Sequence, residues 1–211
     1  MDRALRWSLL LFFGFLVVTQ QVLTNGPLVA YDKEINSQPK PQFEGFAGFV
    51  LRRLDDLGLR SLTATILLIA ASFIAYKFKT WRPLNLAMIS LLSLNLVVGT
   101  FKIVLGRTKP RDGFDLLHAG GMSYPSGHAS NAVLSWGILA YLIYRYAKVD
   151  RYQGRLASAG VALISLTVCV VSLIRHTHWF TDLLGGLFVG SALLVAVIAI
   201  DRYVPSKSQL H

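Results

Sequence analysis

Residues 156–200 read LASAGVALISLTVCVVSLIRHTHWFTDLLGGLFVGSALLVAVIAI. Two apolar runs, 156–174 and 180–200, flank a short break that holds Arg175, His176, His178 and, just beyond it, Asp182. Each run reaches the roughly 18 residues at which an apolar stretch reads as a membrane span. Working outward, four further runs meet or approach that length: 5–23, 61–76, 84–101 and 129–147, the second being short. Six helices and their connections use the whole chain, so residues 1–211 read as one all-α polytopic membrane domain, a single six-helix bundle. Composition agrees. The chain is 54% hydrophobic and 15% charged, where a soluble domain carries about a quarter charged residues. Its mean hydropathy is +0.51.

The first run follows Arg3 and Arg6, as a signal peptide would, but it extends to about Leu23 without a good small-residue cleavage site nearby. It reads as a retained helix. The lone Cys169 lies inside an apolar run and reads as a structural thiol, and no Cys/His cluster has zinc-ligand spacing. The residues therefore point to no metal and no cofactor.

The net charge of +10 does not indicate nucleic acid, because of where it lies. With the N-terminus in the cytoplasm, the inner side carries eleven basic residues against three acids, and the outer side ten against eight. That asymmetry is the positive-inside pattern. It predicts cytoplasmic termini and an inner- or cell-membrane location. It also puts three polar clusters on the same outer face: KIVLGRTKP at 102–110, PSGH at 125–128 and RHTHWFTD at 175–182. The loop at 24–60 reads as extended through Pro27, Pro39 and Pro41, then as an amphipathic helix over 43–57 lying in the interface between the first two spans.

The clusters suit phosphate chemistry. His178 and Asp182 are four apart, and a helix starting near Thr177 would put them on one face, the carboxylate orienting the imidazole. A polar pair that seats a helix end is the plainer alternative. In PSGH, Ser126 caps a helix or donates to an anion, Gly127 allows close backbone approach, and His128 can protonate a departing oxygen. Lys102, Arg107, Lys109 and Arg111 form a basic ladder able to neutralise a phosphate, or to snorkel at the interface. The residues alone leave open which histidine attacks.

Jointly the clusters resemble the signature of the type-2 phosphatidic acid phosphatase superfamily, which includes bacterial lipid phosphatases and is related to vanadium haloperoxidases. The likeness covers about residues 60–200. Six residues separate Lys102 from Lys109-Pro110, Pro125-Ser126-Gly127-His128 matches fully, and three residues separate His178 from Asp182. The resemblance implies a metal-independent phosphotransfer. In it His178 attacks phosphorus to give a phosphohistidine, Asp182 orients it and His128 protonates the leaving oxygen. Lys102, Ser126 and the Gly127 N–H hold the phosphate. Two positions depart from the family pattern. Lys109 replaces an arginine, with Arg107 as compensation. Ser172 stands where the family has its third-motif arginine, with Arg175 as the substitute, which a continuous helix would place on one face with His178 and Asp182. The implied substrate is a lipid phosphate or diphosphate (undecaprenyl diphosphate, phosphatidylglycerophosphate or phosphatidic acid) met in the bilayer at the extracytoplasmic face. A lipid phosphotransferase on the same scaffold and a non-catalytic lipid-binding or transport protein are the alternatives.

Overall fold

The computed structural model describes residues 2–39, 41–147 and 149–203, which form eight α-helices and one 3-10 turn with no strand among them. In chain order these are α1 (Asp2–Leu23), α2 (Pro27–Ser37), α3 (Gly45–Asp56), α4 (Arg60–Lys77), α5 (Arg82–Leu105), the 3-10 turn Pro110–Asp112, α6 (Gly127–Tyr146), α7 (Arg151–Ile174) and α8 (Phe180–Tyr203). Each apolar run forms a helix. Among the described residues, α1, α4, α5, α7 and α8 are long and apolar enough to cross a membrane, and the chain is a multi-pass membrane protein.

α6 is not among those five, and its position explains why. It is the central helix, packed against α4, α5, α7 and α8. Its Ser130, Asn131 and Ser135 are buried against protein rather than facing lipid, so it need not be apolar all round. The outward faces of the other helices carry large apolar side chains such as Phe13, Ile69, Leu96 and Leu163, as a lipid-facing surface requires.

α8 runs between α1 and α6. Its approach to α6 depends on Gly186 and Gly190, a small-xxx-small pair that lets two helices close up without a side chain between them. A Cβ on Gly186 would lie 2.6 Å from the Ser126 carbonyl oxygen, and one on Gly190 would lie 2.9 Å from that of Ser130. The core is filled by Phe15 of α1, Leu94 of α5, Leu134 and Ile138 of α6 and Val189 of α8. α1 is thus part of the bundle, and it also donates from Ser8 Oγ to the Ala192 carbonyl (2.9 Å).

Two expectations are corrected. The stretch after α1 is not extended: Pro27 opens α2, where its fixed φ and missing N–H suit a first helical turn. And α8 begins at Phe180, not Thr177, because α7 ends in a Schellman turn. His176 takes a left-handed φ of 52°, Thr177 N–H bonds the Ser172 carbonyl and His176 N–H bonds that of Leu173. Arg175, His178 and Asp182 are therefore not on one continuous helix. The helix expected over 43–57 is present as α3.

Candidate active site

α5 carries Lys102 in its last turn and stops at Gly106, which has φ 51°. The chain then folds back on itself. Gly121 N–H bonds the Gly106 carbonyl (3.0 Å) and Ser123 N–H bonds that of Arg107 (3.0 Å). Only glycine fits at 121, since a Cβ there would overlap the Arg107 carbonyl. This fold-back delivers Ser123 and the PSGH segment to the start of α6. Ser126 caps α6 by accepting from Ala129 N–H (3.2 Å), and its own N–H bonds the Asp182 carbonyl (2.9 Å), which ties α6 to α8. Next to it Tyr124 is fully buried, its hydroxyl 2.8 Å from Thr19 Oγ1, and burial raises its phenol above the ordinary range.

Asp182 is the third residue of α8 and is fully buried. Its Oδ2 accepts from Trp179 N–H (2.9 Å) and from the Ser123 hydroxyl, and lies 3.4 Å from His178 Nδ1. Its Oδ1 accepts from Arg107 (2.8 Å). The His178 contact is longer than an ordinary N–H···O bond, and the reason is competition, because one oxygen serves three donors. The expected His178–Asp182 pairing is thus present, but across the turn before α8 rather than along a helix face. With Nδ1 turned to Asp182, the other ring nitrogen of His178 makes no hydrogen bond among the described residues. The His128 ring lies 6.2 Å away, centroid to centroid.

Arg107 is placed differently from the expectation. It is completely buried, and all five of its N–H groups are used by the protein. Nε and Nη2 hold Asp115 (2.7 and 2.6 Å), Nη2 also holds Asp32 (2.7 Å), and Nη1 holds Thr181 (2.7 Å) and Asp182 (2.8 Å). No donor remains for a phosphate. Arg107 holds Asp182, and does not compensate for Lys109 as a phosphate ligand. Trp179 covers it, with the guanidinium 5.4 Å from the indole ring and the indole N–H bonded to the Thr108 carbonyl (2.9 Å). Asp32, from α2, caps α8 by accepting from Thr181 N–H (2.8 Å) and its hydroxyl (2.5 Å). Burial pushes the Asp32 carboxyl above its usual range, opposed by Arg107 and Thr181.

The other basic residues are less committed. Lys102 Nζ donates to the Met122 carbonyl and lies 3.5 Å from that of Ser123. Its stem passes Gly127, where a Cβ would sit 3.8 Å from Lys102 Cε. The backbone N–H of Lys109 bonds Asp112 (2.9 Å), and its ammonium forms no ion pair among the described residues. Arg175 donates to Asp55 of α3, whose other oxygen accepts from the Ser172 hydroxyl (3.0 Å). One acid thus links the expected substitute, Arg175, with the residue at the departing position. His178, Lys102, Arg175 and Asp55 all lie close enough to act electrostatically on His128.

Asp32, Asp55, Asp115, Ser123 and Thr181 were not expected from the sequence. Thr181 lies inside the RHTHWFTD cluster and Ser123 two residues before PSGH, while the three acids lie outside all three clusters. The one general signal for them is that eight of the eleven acids fall on the outer side.

Comparison with known proteins gives three agreeing results. The model of the PAP2 superfamily matches residues 62–205. Phosphatidylglycerophosphatase B of Bacillus subtilis (strain 168) is 24% identical over 201 residues, covering 92% of this chain and 94% of the relative. The crystal structure of a transmembrane PAP2-type phosphatidylglycerolphosphate phosphatase from Bacillus subtilis superposes with a TM-score of 0.83 at 22% identity. That match covers 95% of this chain and 98% of the other, and establishes likeness of fold.

Proposed function

The chain belongs to the PAP2 superfamily, and from that premise we propose that it is a membrane phosphatase releasing phosphate from a lipid phosphomonoester or diphosphate. The observation that carries the reading is the pair of histidine rings 6.2 Å apart, one of them backed by a buried aspartate. In this reading the phosphoryl group is handled between the two rings. His178, with Nδ1 held by Asp182, presents Nε2 to phosphorus. A P–N bond forms, the P–O bond to the lipid breaks, and His128 gives a proton to the departing oxygen. Water then attacks phosphorus with His128 taking its proton, the P–N bond breaks, and phosphate leaves. Asp182 stabilises the charge on the His178 ring throughout.

Lys102, Lys109, the Ser126 hydroxyl, the Gly127 N–H at the start of α6 and Arg175 are the proposed phosphate ligands. Charge on the three non-bridging oxygens calls for such a set. We infer an extracytoplasmic site with both termini cytoplasmic, which the asymmetry of basic residues supports. α6 is the sixth span in this reading, and α3 lies in the interface beside the site. The Bacillus relative weights phosphatidylglycerophosphate above phosphatidic acid and undecaprenyl diphosphate as substrate.

The test is phosphate release in detergent with EDTA, from these three lipids, wild type beside His178→Ala. Release that needs His178 and survives EDTA supports the proposal. Loss of activity in EDTA with recovery in Mg²⁺ rejects the metal-independent mechanism. No release from folded wild type rejects the hydrolase.

A further inference from the structure

α7 makes little contact with α8, and at the end of the bundle opposite the histidines the gap between them is open. Between them, against α6, lies a cleft of about 630 Å³, within the range of small-molecule sites. Its inner wall is apolar, with Val161 of α7 and Leu194 of α8, and α6 contributes Gly137, where the two helices touch. Its mouth is lined by Arg151, Arg155 and Arg202.

These arginines differ from their neighbours. Arg82 and Arg145 at the same end are neutralised by Asp201, which Arg82 Nε contacts at 2.7 Å and Arg145 contacts alongside the Tyr141 hydroxyl (2.6 Å). Asp150 caps α7 by accepting from Gln153 N–H (2.8 Å). No carboxylate among the described residues pairs with Arg151, Arg155 or Arg202. The Arg202 guanidinium rests 5.6 Å from the Tyr141 ring centroid, at the cleft wall.

Position identifies the occupant. The cleft mouth and His128 lie at opposite ends of α6, whose 20 residues span about 30 Å, the thickness of a bilayer's hydrocarbon core. The three arginines therefore stand in the second headgroup plane, over an apolar slot. We propose that this cleft binds one anionic phospholipid of the leaflet opposite the phosphatase site. The forked guanidiniums take the headgroup phosphodiester and an acyl chain fills the slot down to Gly137. By the charge asymmetry that leaflet is the cytoplasmic one. Such a lipid wedges α7 against α6 and α8 without entering the reaction.

The experiment is native mass spectrometry of the full chain in detergent, titrated with phosphatidylglycerol or phosphatidylcholine. Three proteins are compared: wild type, the triple variant R151Q/R155Q/R202Q, and Val161→Trp, which fills the slot without changing charge. Wild type is expected to retain one phosphatidylglycerol with affinity at least about tenfold above phosphatidylcholine. The triple variant loses that preference, and Val161→Trp loses the bound lipid. Turnover of a short-chain soluble phosphate ester stays at the wild-type level in both, which shows that they fold. Equal retention of the two lipids by wild type overturns the proposal. So does unchanged retention in both variants, or displacement of the lipid by excess inorganic phosphate, which marks a site for free anions.

Discussion

Arg107→Lys keeps a positive charge inside the acidic cage but replaces a planar fork of five donors with three on one nitrogen. The wild-type side chain makes five bonds, two to Asp115 and one each to Asp32, Thr181 and Asp182. A lysine ammonium can satisfy at most three of them, so at least two contacts lose their donor, at acceptors that are buried or, for Asp115, part-buried. Each costs about 1–3 kcal/mol, giving a loss of about 2–6 kcal/mol. For a chain of this length, 1 kcal/mol shifts Tm by about 2–4 °C, so thermal unfolding in detergent should fall by roughly 5–20 °C. Asp182 is one of the acceptors concerned, and loosening it misaligns His178, so kcat should fall with little change in KM. A phosphate ligand would behave otherwise. Its replacement by lysine would raise KM and leave Tm almost unchanged, and that result would refute the positioning role argued for Arg107.

Three further outcomes test the site. His178→Ala and Asp182→Asn should each lower turnover by at least about 10³-fold in the phosphate-release assay, with the helical circular dichroism retained. Arg175→Ala should cut kcat/KM by about 10²-fold or more while Ser172→Ala stays within a few-fold, because both side chains bond Asp55 but only Arg175 is a proposed phosphate ligand. The reverse ranking would show that the phosphate-binding role belongs at Ser172 and not at Arg175. Gly121→Ala should lower both Tm and activity, since its Cβ would push the fold-back off the Arg107 carbonyl and carry Ser123 away from Asp182. An unchanged enzyme would show that this fold-back does not position the acid.

The helices were legible because lipid imposes a simple rule, that an outward face must be apolar for the whole crossing. α6 is the instructive exception. It was read as a span on its apolar run, yet its polar residues mark a helix enclosed by protein. His128, His178 and Asp182 were legible as a group because their residue types are rare in such a chain and recur at helix ends. The start of α8 was missed because left-handed C-caps are usually announced by glycine. Here His176 takes that conformation, with its ring 2.7 Å from Asn36 of α2. Asp32 and Asp55 were out of reach for another reason. They act on residues 149 and 120 positions away, and no periodicity or spacing in their own loop points to α8 or α7.

The cage around Asp182 makes sense only as a positioning device. Buried ion pairs lose much of their attraction to desolvation, and an apolar filling of the same volume is often as stable or more so. Three acids gathered on one fully buried guanidinium are therefore a poor way to hold helices together. They are a good way to fix one carboxylate. Asp182 is gripped from its own turn by Trp179, from the fold-back by Ser123 and from the end of α5 by Arg107. Asp32, from α2, holds both Arg107 and the first turn of α8 in place. Each grip comes from a different part of the chain, so the direction in which Asp182 aims the His178 ring is set by the closure of the whole bundle. In the proposed mechanism this gives α2, which carries none of the proposed catalytic residues, a role in the chemistry: through Asp32 it holds the helix from which the proposed attacking histidine is oriented.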